Sequence, residues 1–311
     1  MNTLTGRPAA TRLSSISGVL PIASITSMAR PYRTIPQADR GVGASAPHRE
    51  PSSRRVPRGT PRALTAGMQL ETFALSIAGR RSNNEDAVCA RPDLGLFVVA
   101  DGMGGYEGGE IASAIAVDEI CGLVRRTAAD ADVTWPYKID PRRTIGENEL
   151  IVATRLANDR IAAQRAGKLD QMGSTVVALR LAGDRVVIAH VGDSRAYRLR
   201  AGVLSQLTVD HSLLAQLVAS GMTPSDDFPW RHVVTRALGT PTGEPEVRCE
   251  PVHPGDVFLL CSDGLSEVLG EAAIATLLDG PAEVACRRLV DAAYEAGSRD
   301  NISSIVVRVA C

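Results

Sequence analysis

No two cysteines in this 311-residue chain form a C-x-x-C pair, and none has a histidine at zinc-like spacing. That excludes a cysteine-based zinc knuckle. The six are Cys89, Cys121, Cys249, Cys261, Cys286 and Cys311, scattered in apolar surroundings as small core residues of a reducing compartment are. No apolar run approaches the ~20 residues that a membrane span needs. Net charge is only −1, so the overall balance points to neither nucleic acid nor acidic partners.

What is present is unevenly placed. Residues 1–66 carry ten Arg, no Lys and two acids, a formal +8, which leaves about −9 for the remainder of a chain of net −1. An acidic folded part that gathers carboxylates suits a cation site. Eight of the 18 prolines fall in 1–66, and no apolar period persists there. The segment reads as a disordered basic tail. It suits a linker ahead of a true start at Met68, a transit peptide or a tether to an anionic surface. The folded domain is expected over 67–311.

Within that domain, strands are expected at Thr72 to Ala78, Ala87 to Ala90 and Leu94 to Ala100. Helices follow at Gly109 to Arg126 and at Glu147 to Ala166, the second capped by Gly167. Strands at Ser174 to Leu181, Arg185 to Val191, Ser194 to Leu199 and Val203 to Leu207 are joined by turn residues and suggest an antiparallel meander. Residues 208–246 break the rhythm as a long irregular insertion with a short helix at Leu213 to Ala219. Strands at Val247 to Val252 and Asp256 to Cys261, helices at Glu271 to Leu278 and Pro281 to Ala296, and a closing strand at Asn301 to Val309 complete the chain. Grouped strands and grouped helices, without βα alternation, argue an α+β fold of antiparallel sheets covered by helices.

The apolar run ending in Val98-Val99-Ala100 delivers Asp101 and then Gly102, Gly104 and Gly105. A buried strand is a rigid platform for a ligand, and the glycines allow a sharp turn and close approach. An Asp-Gly after a strand is also an ordinary turn. Four other acidic positions share this context: Glu85-Asp86 before a strand, Asp170 near the mouth of another, Asp263 after Leu259-Leu260-Cys261, and Asp300 before the last strand. Brought together unpaired, such carboxylates repel. A hard divalent cation removes the penalty, and an all-oxygen donor set points to Mg²⁺ or Mn²⁺ rather than zinc.

Arg81-x-x-x-Glu85-Asp86, Asp101-Gly-Met-Gly-Gly, Met172-Gly-Ser-Thr, Gly192-Asp193-Ser194-Arg195, Asp210-His211-Ser212, Ser262-Asp263-Gly264 and Asp300-Asn301 occur in this order. Together they resemble the metal-dependent protein phosphatases (PPM, or type 2C Ser/Thr phosphatases) in their bacterial form, over about residues 70–310. The resemblance implies a four-layer α-β-β-α sandwich with two metal ions at one end. It implies that Asp101 bridges both ions, that the Gly102 carbonyl binds one, and that Asp263 and Asp300 bind the other. Glu85 would act through metal-bound water, Asp86 would orient that water, and Arg81 would hold the substrate phosphate in its planar fork. Asp170 matches a position supporting a weaker third ion, together with Asp263, and Glu267 lies near enough in sequence to help. The implied reaction is in-line attack of a metal-bridging hydroxide on phospho-Ser or phospho-Thr. It needs no cysteine nucleophile, and no C-x₅-R loop surrounds Cys89 or Cys261.

The implied partners are phosphoprotein substrates and an opposing Ser/Thr kinase, with no nucleic acid and no membrane span. A cytoplasmic monomer is expected. The segment Gly173 to Gly239 also resembles phosphatases that accompany type VI secretion. Met103 follows Asp101-Gly102 where many eukaryotic members carry a histidine thought to protonate the leaving oxygen. This leaves the general acid open, with a metal-bound water the expected donor. His190 reads as a packed strand residue and His211 as a helix cap shared with Asp210 or Ser212; His232 and His253 read as surface residues. Asp193-Ser194-Arg195 reads as an architectural turn. The 208–246 insertion corresponds to the family's flap, where Asp226 to Arg231 suits either peptide contact or a hydrophobic plug. Two other functions compete: a catalytically silent binding module of the same fold, and a phosphatase for an anti-anti-sigma-type switch protein.

Overall fold

The computed structural model describes residues 68–105, 108–130, 132–225 and 228–310. The expectation for 1–66 and the Asp226-Asp227 pair of the insertion lie outside the described residues. The strands are β1 (Gln69–Ile77), β2 (Asp86–Arg91), β3 (Leu96–Met103), β4 (Gly173–Ser174), β5 (Val176–Ala182), β6 (Arg185–Val191), β7 (Arg195–Arg200), β8 (Val203–Gln206), β9 (Glu246–Pro251), β10 (Val257–Cys261) and β11 (Ile302–Ala310). The helices are α1 (Gly108–Ala129), α2 (Ile145–Gln164), α3 (Leu213–Ala219), α4 (Asp263–Ser266), α5 (Glu271–Leu277) and α6 (Ala282–Glu295).

Two antiparallel sheets form, ordered β1-β11-β10-β7-β8 and β2-β3-β5-β6-β9, with β4 paired to β3. Strand alternation explains the layers. In β3, Phe97 and Val99 face the second sheet, while Leu96, Val98 and Ala100 face α1 and α2. In β10, Phe258 and Leu260 face the inter-sheet core, while Leu259 and Cys261 face α4 to α6. Both faces of each central strand are therefore covered, which is why these strands read as continuous apolar runs. The expected four-layer α-β-β-α sandwich is the observed architecture.

Three local expectations change. The strand carrying Asp101 does not stop there; it runs on through Gly102 and Met103, because Ser174 and Gly173 pair with those residues. The helix expected from Glu147 to Ala166, with Gly167 as its cap, instead runs from Ile145 to Gln164. Thr144 and Glu147 close a reciprocal capping box, and Gly167 opens the next turn at φ 59°. The expected meander is two hairpins in different sheets. β5 and β6 pair in one and β7 and β8 in the other, and the chain crosses between sheets at Gly192-Asp193-Ser194. Gly192 has φ 101°, and a Cβ there would lie 2.6 Å from the Thr175 side chain, so this crossing requires glycine.

A buried ion pair fastens the α1–α2 layer to its sheet. Arg180 of β5 donates to Glu149 of α2 at 2.9 Å, and Thr127 of α1 donates to the other Glu149 oxygen at 2.6 Å.

Candidate metal centre

Strands from both sheets end beside one another. β2 and β3 pair so that Asp86 sits opposite Asp101, and β10 and β11 pair so that Cys261 sits opposite Ser304. Asp263, just past the end of β10, and Asp300, just before β11, therefore share one end of their sheet. The chain places Glu85, Asp86, Asp101, Asp263 and Asp300 in a single cluster: Asp86, Asp101, Asp263 and Asp300 lie close enough to shift one another, and Asp300 raises Glu85.

Burial pushes Asp86 up to about 7; hydrogen bonds from Ser303 and Ser262 oppose this, and Asp263 and Asp300 add to it. Asp101 is held well above the usual carboxylate range, first by burial and then by Asp86, Asp263 and Asp300. Asp263 rises to about 6 through burial, Glu267 and Asp300, tempered by its hydrogen bond with Asp101. Glu85 is raised by burial, against the opposing charge of Arg81. Asp86 Oδ1 and Asp263 Oδ1 are buried without a hydrogen-bond partner. Buried polar atoms are rarely left so, and two such oxygens within a cluster of mutually repelling carboxylates are what a hard divalent cation would satisfy. The donor set fits the implied ions.

The frame around the cluster is specific. Asp86 Oδ2 accepts from Ser262 at 2.8 Å and from Ser303 at 2.6 Å. Asn301 accepts the Glu85 amide at 2.8 Å and donates to Ala78 O and Asn83 O, which sets the whole loop before β2. Gly102 donates to Glu85 O at 3.1 Å. A Cβ on Gly102 would lie 2.0 Å from Gly109 O and 2.7 Å from Glu85 O, so backbone packing admits only glycine. Arg81 is exposed and turned inward, donating to Asp300 Oδ2 at 2.8 Å and to Arg299 O at 3.1 Å. A cleft lined by Arg81, Ser82, Asn83, Glu85 and Asn301 opens beside it.

Asp170 lies in the turn between α2 and β4. It is exposed, and its backbone oxygen accepts from Arg165 at 2.7 Å. Among the described residues, no hydrogen bond or ion pair joins its carboxylate to the cluster. Conversely, Asp193 is more than a turn residue. It is buried and pushed up to about 7 by burial and by Asp263 and Asp210, so it borders the cluster. Ser262 and Asn301 lay inside motifs visible in the sequence, but their roles did not show; Ser303 carried no signal.

The histidines divide differently from expectation. Ser212, not His211, caps α3, accepting from Ala215 at 3.2 Å. His190 is buried in β6 and stacks on His211 with ring centroids 4.6 Å apart. These two and Glu246 lie close enough to suggest a second ion site. However, Gly192 N donates to His211 Nδ1, and the Arg236 guanidinium sits 3.1 Å from Nε2 and 2.9 Å from Glu246. That cation already fills the position an ion would take. His232 is a surface residue, as expected, and it bonds Glu267 at 2.5 Å, which ties the insertion to the end of α4. Trp230 is 60% exposed and packs edge-on against Phe228, which rules out a buried plug.

The sequence model of the family described as Protein phosphatase 2C matches residues 76–290. The Ser/Thr protein phosphatase PstP of Mycobacterium tuberculosis is 37% identical over 251 residues, covering 76% of this chain and 46% of that protein. The chain thus spans about half the length of the mycobacterial relatives it matches. The crystal structure of the PstP catalytic domain in complex with two manganese ions superposes with TM-score 0.66 at 34% identity, covering 78% of this chain and all of that one. PppA, described as a key regulatory component of the T6SS in Pseudomonas aeruginosa, superposes with TM-score 0.62 at 33% identity over 77% of this chain and 97% of its own.

Proposed function

The chain belongs to the protein phosphatase 2C family, and on that premise we propose that it is a metal-dependent phosphatase acting on phospho-Ser and phospho-Thr in proteins. One observation carries the reading: five carboxylates from distant parts of the chain converge, with two buried oxygens left unpartnered. Every acidic position of the resemblance is a carboxylate here, which supports an active enzyme over a silent module.

Asp101, the Gly102 carbonyl, Asp263, Asp300 and Glu85 would hold two Mg²⁺ or Mn²⁺ ions. Bound there, the ions supply positive charge to phosphoryl oxygens and acidify water near neutral pH. Arg81 supplies the fork for two phosphoryl oxygens. At rest it holds Asp300, so exchanging that carboxylate for phosphate is the chain's binding step. Asp86 has one oxygen fixed by Ser262 and Ser303 and the other unpartnered, and it orients and takes the proton of the attacking water. Met103 offers no proton to the leaving oxygen. Asp170 is exposed and serves, in this reading, only a weaker third ion beside Asp263.

The substrates are phosphoproteins and the opposing enzyme a Ser/Thr kinase. The scattered cysteines support a cytoplasmic place of action. Among the described residues no helix is long and apolar enough to cross a membrane. The likeness to PppA makes type VI secretion proteins one substrate class to test. The primary test is Mn²⁺-dependent hydrolysis of a phosphothreonine peptide. Chelator should abolish turnover, and Asp263→Asn should remove most of it while the circular dichroism spectrum stays native. Full turnover with chelator present, or in the folded Asp263→Asn variant, sinks the reading.

A further inference from the structure

Cys89 and Cys121 are far apart in sequence and meet in the fold. Along β2, Val88 and Ala90 face the core between the sheets. Cys89 therefore faces the opposite way, toward the layer beneath α1, and Cys121 of α1 packs in that same layer. The two thiols meet in that layer closely enough that each is the largest influence on the other's acidity. Both are free, and both retain some surface. The remaining described cysteines differ: Cys261 and Cys286 are buried, and Cys249 lies under Arg185. The contact with Cys121 and the nearby Arg91 guanidinium hold the Cys89 thiol below its ordinary range, while the same contact and burial hold Cys121 above it. A thiol with more thiolate character, next to a second thiol, is the arrangement of an attacking and a resolving cysteine.

We propose that Cys89 and Cys121 form a reversible thiol–disulfide pair, a modification site that fastens α1 to the edge strand β2 when the protein meets a hydroperoxide. The Cys89 sulfur attacks the peroxide; an S–O bond forms, the O–O bond breaks, and water or an alcohol leaves. Cys121 then displaces the hydroxyl from the Cys89 sulfenic acid. The S–S bond forms, the S–O bond breaks, and a second water leaves. Two electrons pass from the thiols to the peroxide, and a small thiol reverses the change. The closed loop contains Asp101 and Gly102, and its α1 end begins against Gly102 and Glu85. The bond therefore braces the floor of the acidic cluster. This inference stands on the Cys contact alone and does not depend on the phosphatase reading.

The full chain, treated with hydrogen peroxide, blocked with N-ethylmaleimide and digested without reduction, gives the answer directly. Trypsin spares Arg91-Pro92, so both cysteines fall in the single peptide from Ser82 to Arg125. Oxidised protein should yield that peptide unalkylated and lighter by two hydrogens, and dithiothreitol should restore two alkylated thiols. The unfolding temperature should rise by about 5–10 °C on oxidation. Cys121→Ser should leave Cys89 as a sulfenic acid that dimedone traps. Retention of both thiols at peroxide levels that oxidise a control cysteine peptide overturns the proposal. So does an oxidation product at Cys89 that is the same in the wild type and in Cys121→Ser.

Discussion

Asp86→Asn, measured on metal-stripped protein, weighs the acidic cluster energetically. Without a cation the Asp86 carboxyl is pushed from 3.8 up to about 7. The native chain keeps a proton that the unfolded chain gives up, so stability falls as pH rises from about 4 to about 7 and the full penalty stands above that. At about 1.4 kcal/mol per pK unit, the penalty grows from about 2 kcal/mol at pH 5 to about 4 kcal/mol at pH 8. Asparagine is isosteric, and its oxygen still accepts from Ser262 and Ser303. In chelator at pH 8 the variant should therefore unfold about 8–16 °C above the wild type, with half that gap at pH 5. Saturating Mn²⁺ should narrow the gap, since cations beside the carboxylate remove its penalty while stabilising the native state by mass action. Phosphopeptide turnover should fall by about 10²–10⁴. Thermal unfolding followed by circular dichroism across pH, with and without chelator, reads all of this. A variant no more stable than wild type at pH 8 in chelator, or a gap that does not change with pH, would refute the electrostatic account of the cluster.

Glu149→Ala leaves Arg180 buried without its carboxylate and should cost about 3–5 kcal/mol in chemical denaturation, with turnover per folded molecule unchanged. Gly102→Ala drives a methyl into the Gly109 and Glu85 carbonyls; it should weaken Mn²⁺ binding at least about tenfold by calorimetry, or prevent soluble folding. His232→Ala frees the insertion from Glu267. It should lower kcat/KM several-fold for a phosphoprotein and leave a small aryl phosphate nearly untouched, with under about 1 kcal/mol lost in stability.

Much of the site was legible because the motifs are local. Asp101 follows an apolar run buried on both faces, and Asp263 follows another, so the strands announce the carboxylates they carry. Asp300-Asn301 and Ser262-Asp263 stand out in the sequence as segments that the fold brings into the cluster, but it does not show that Asn301 holds the Glu85 loop or that Ser262 and Ser303 share one oxygen of Asp86. Those bonds join segments about two hundred residues apart, and no spacing rule reaches that far. Asp193 reads as a turn because its turn is real; its burial beside Asp263 depends on the chain changing sheets there.

Periodicity, capping and turn chemistry act over a few residues, so the sequence by itself determined which segments are strands and helices, and which strand ends bear acid. Which hairpin joins which sheet, which carboxylate oxygens are left unpartnered, and which two of the scattered cysteines touch were decided only in the tertiary structure. Those outcomes depend on how two sheets and two helical layers pack around one core, a balance of burial and charge that no single segment contains.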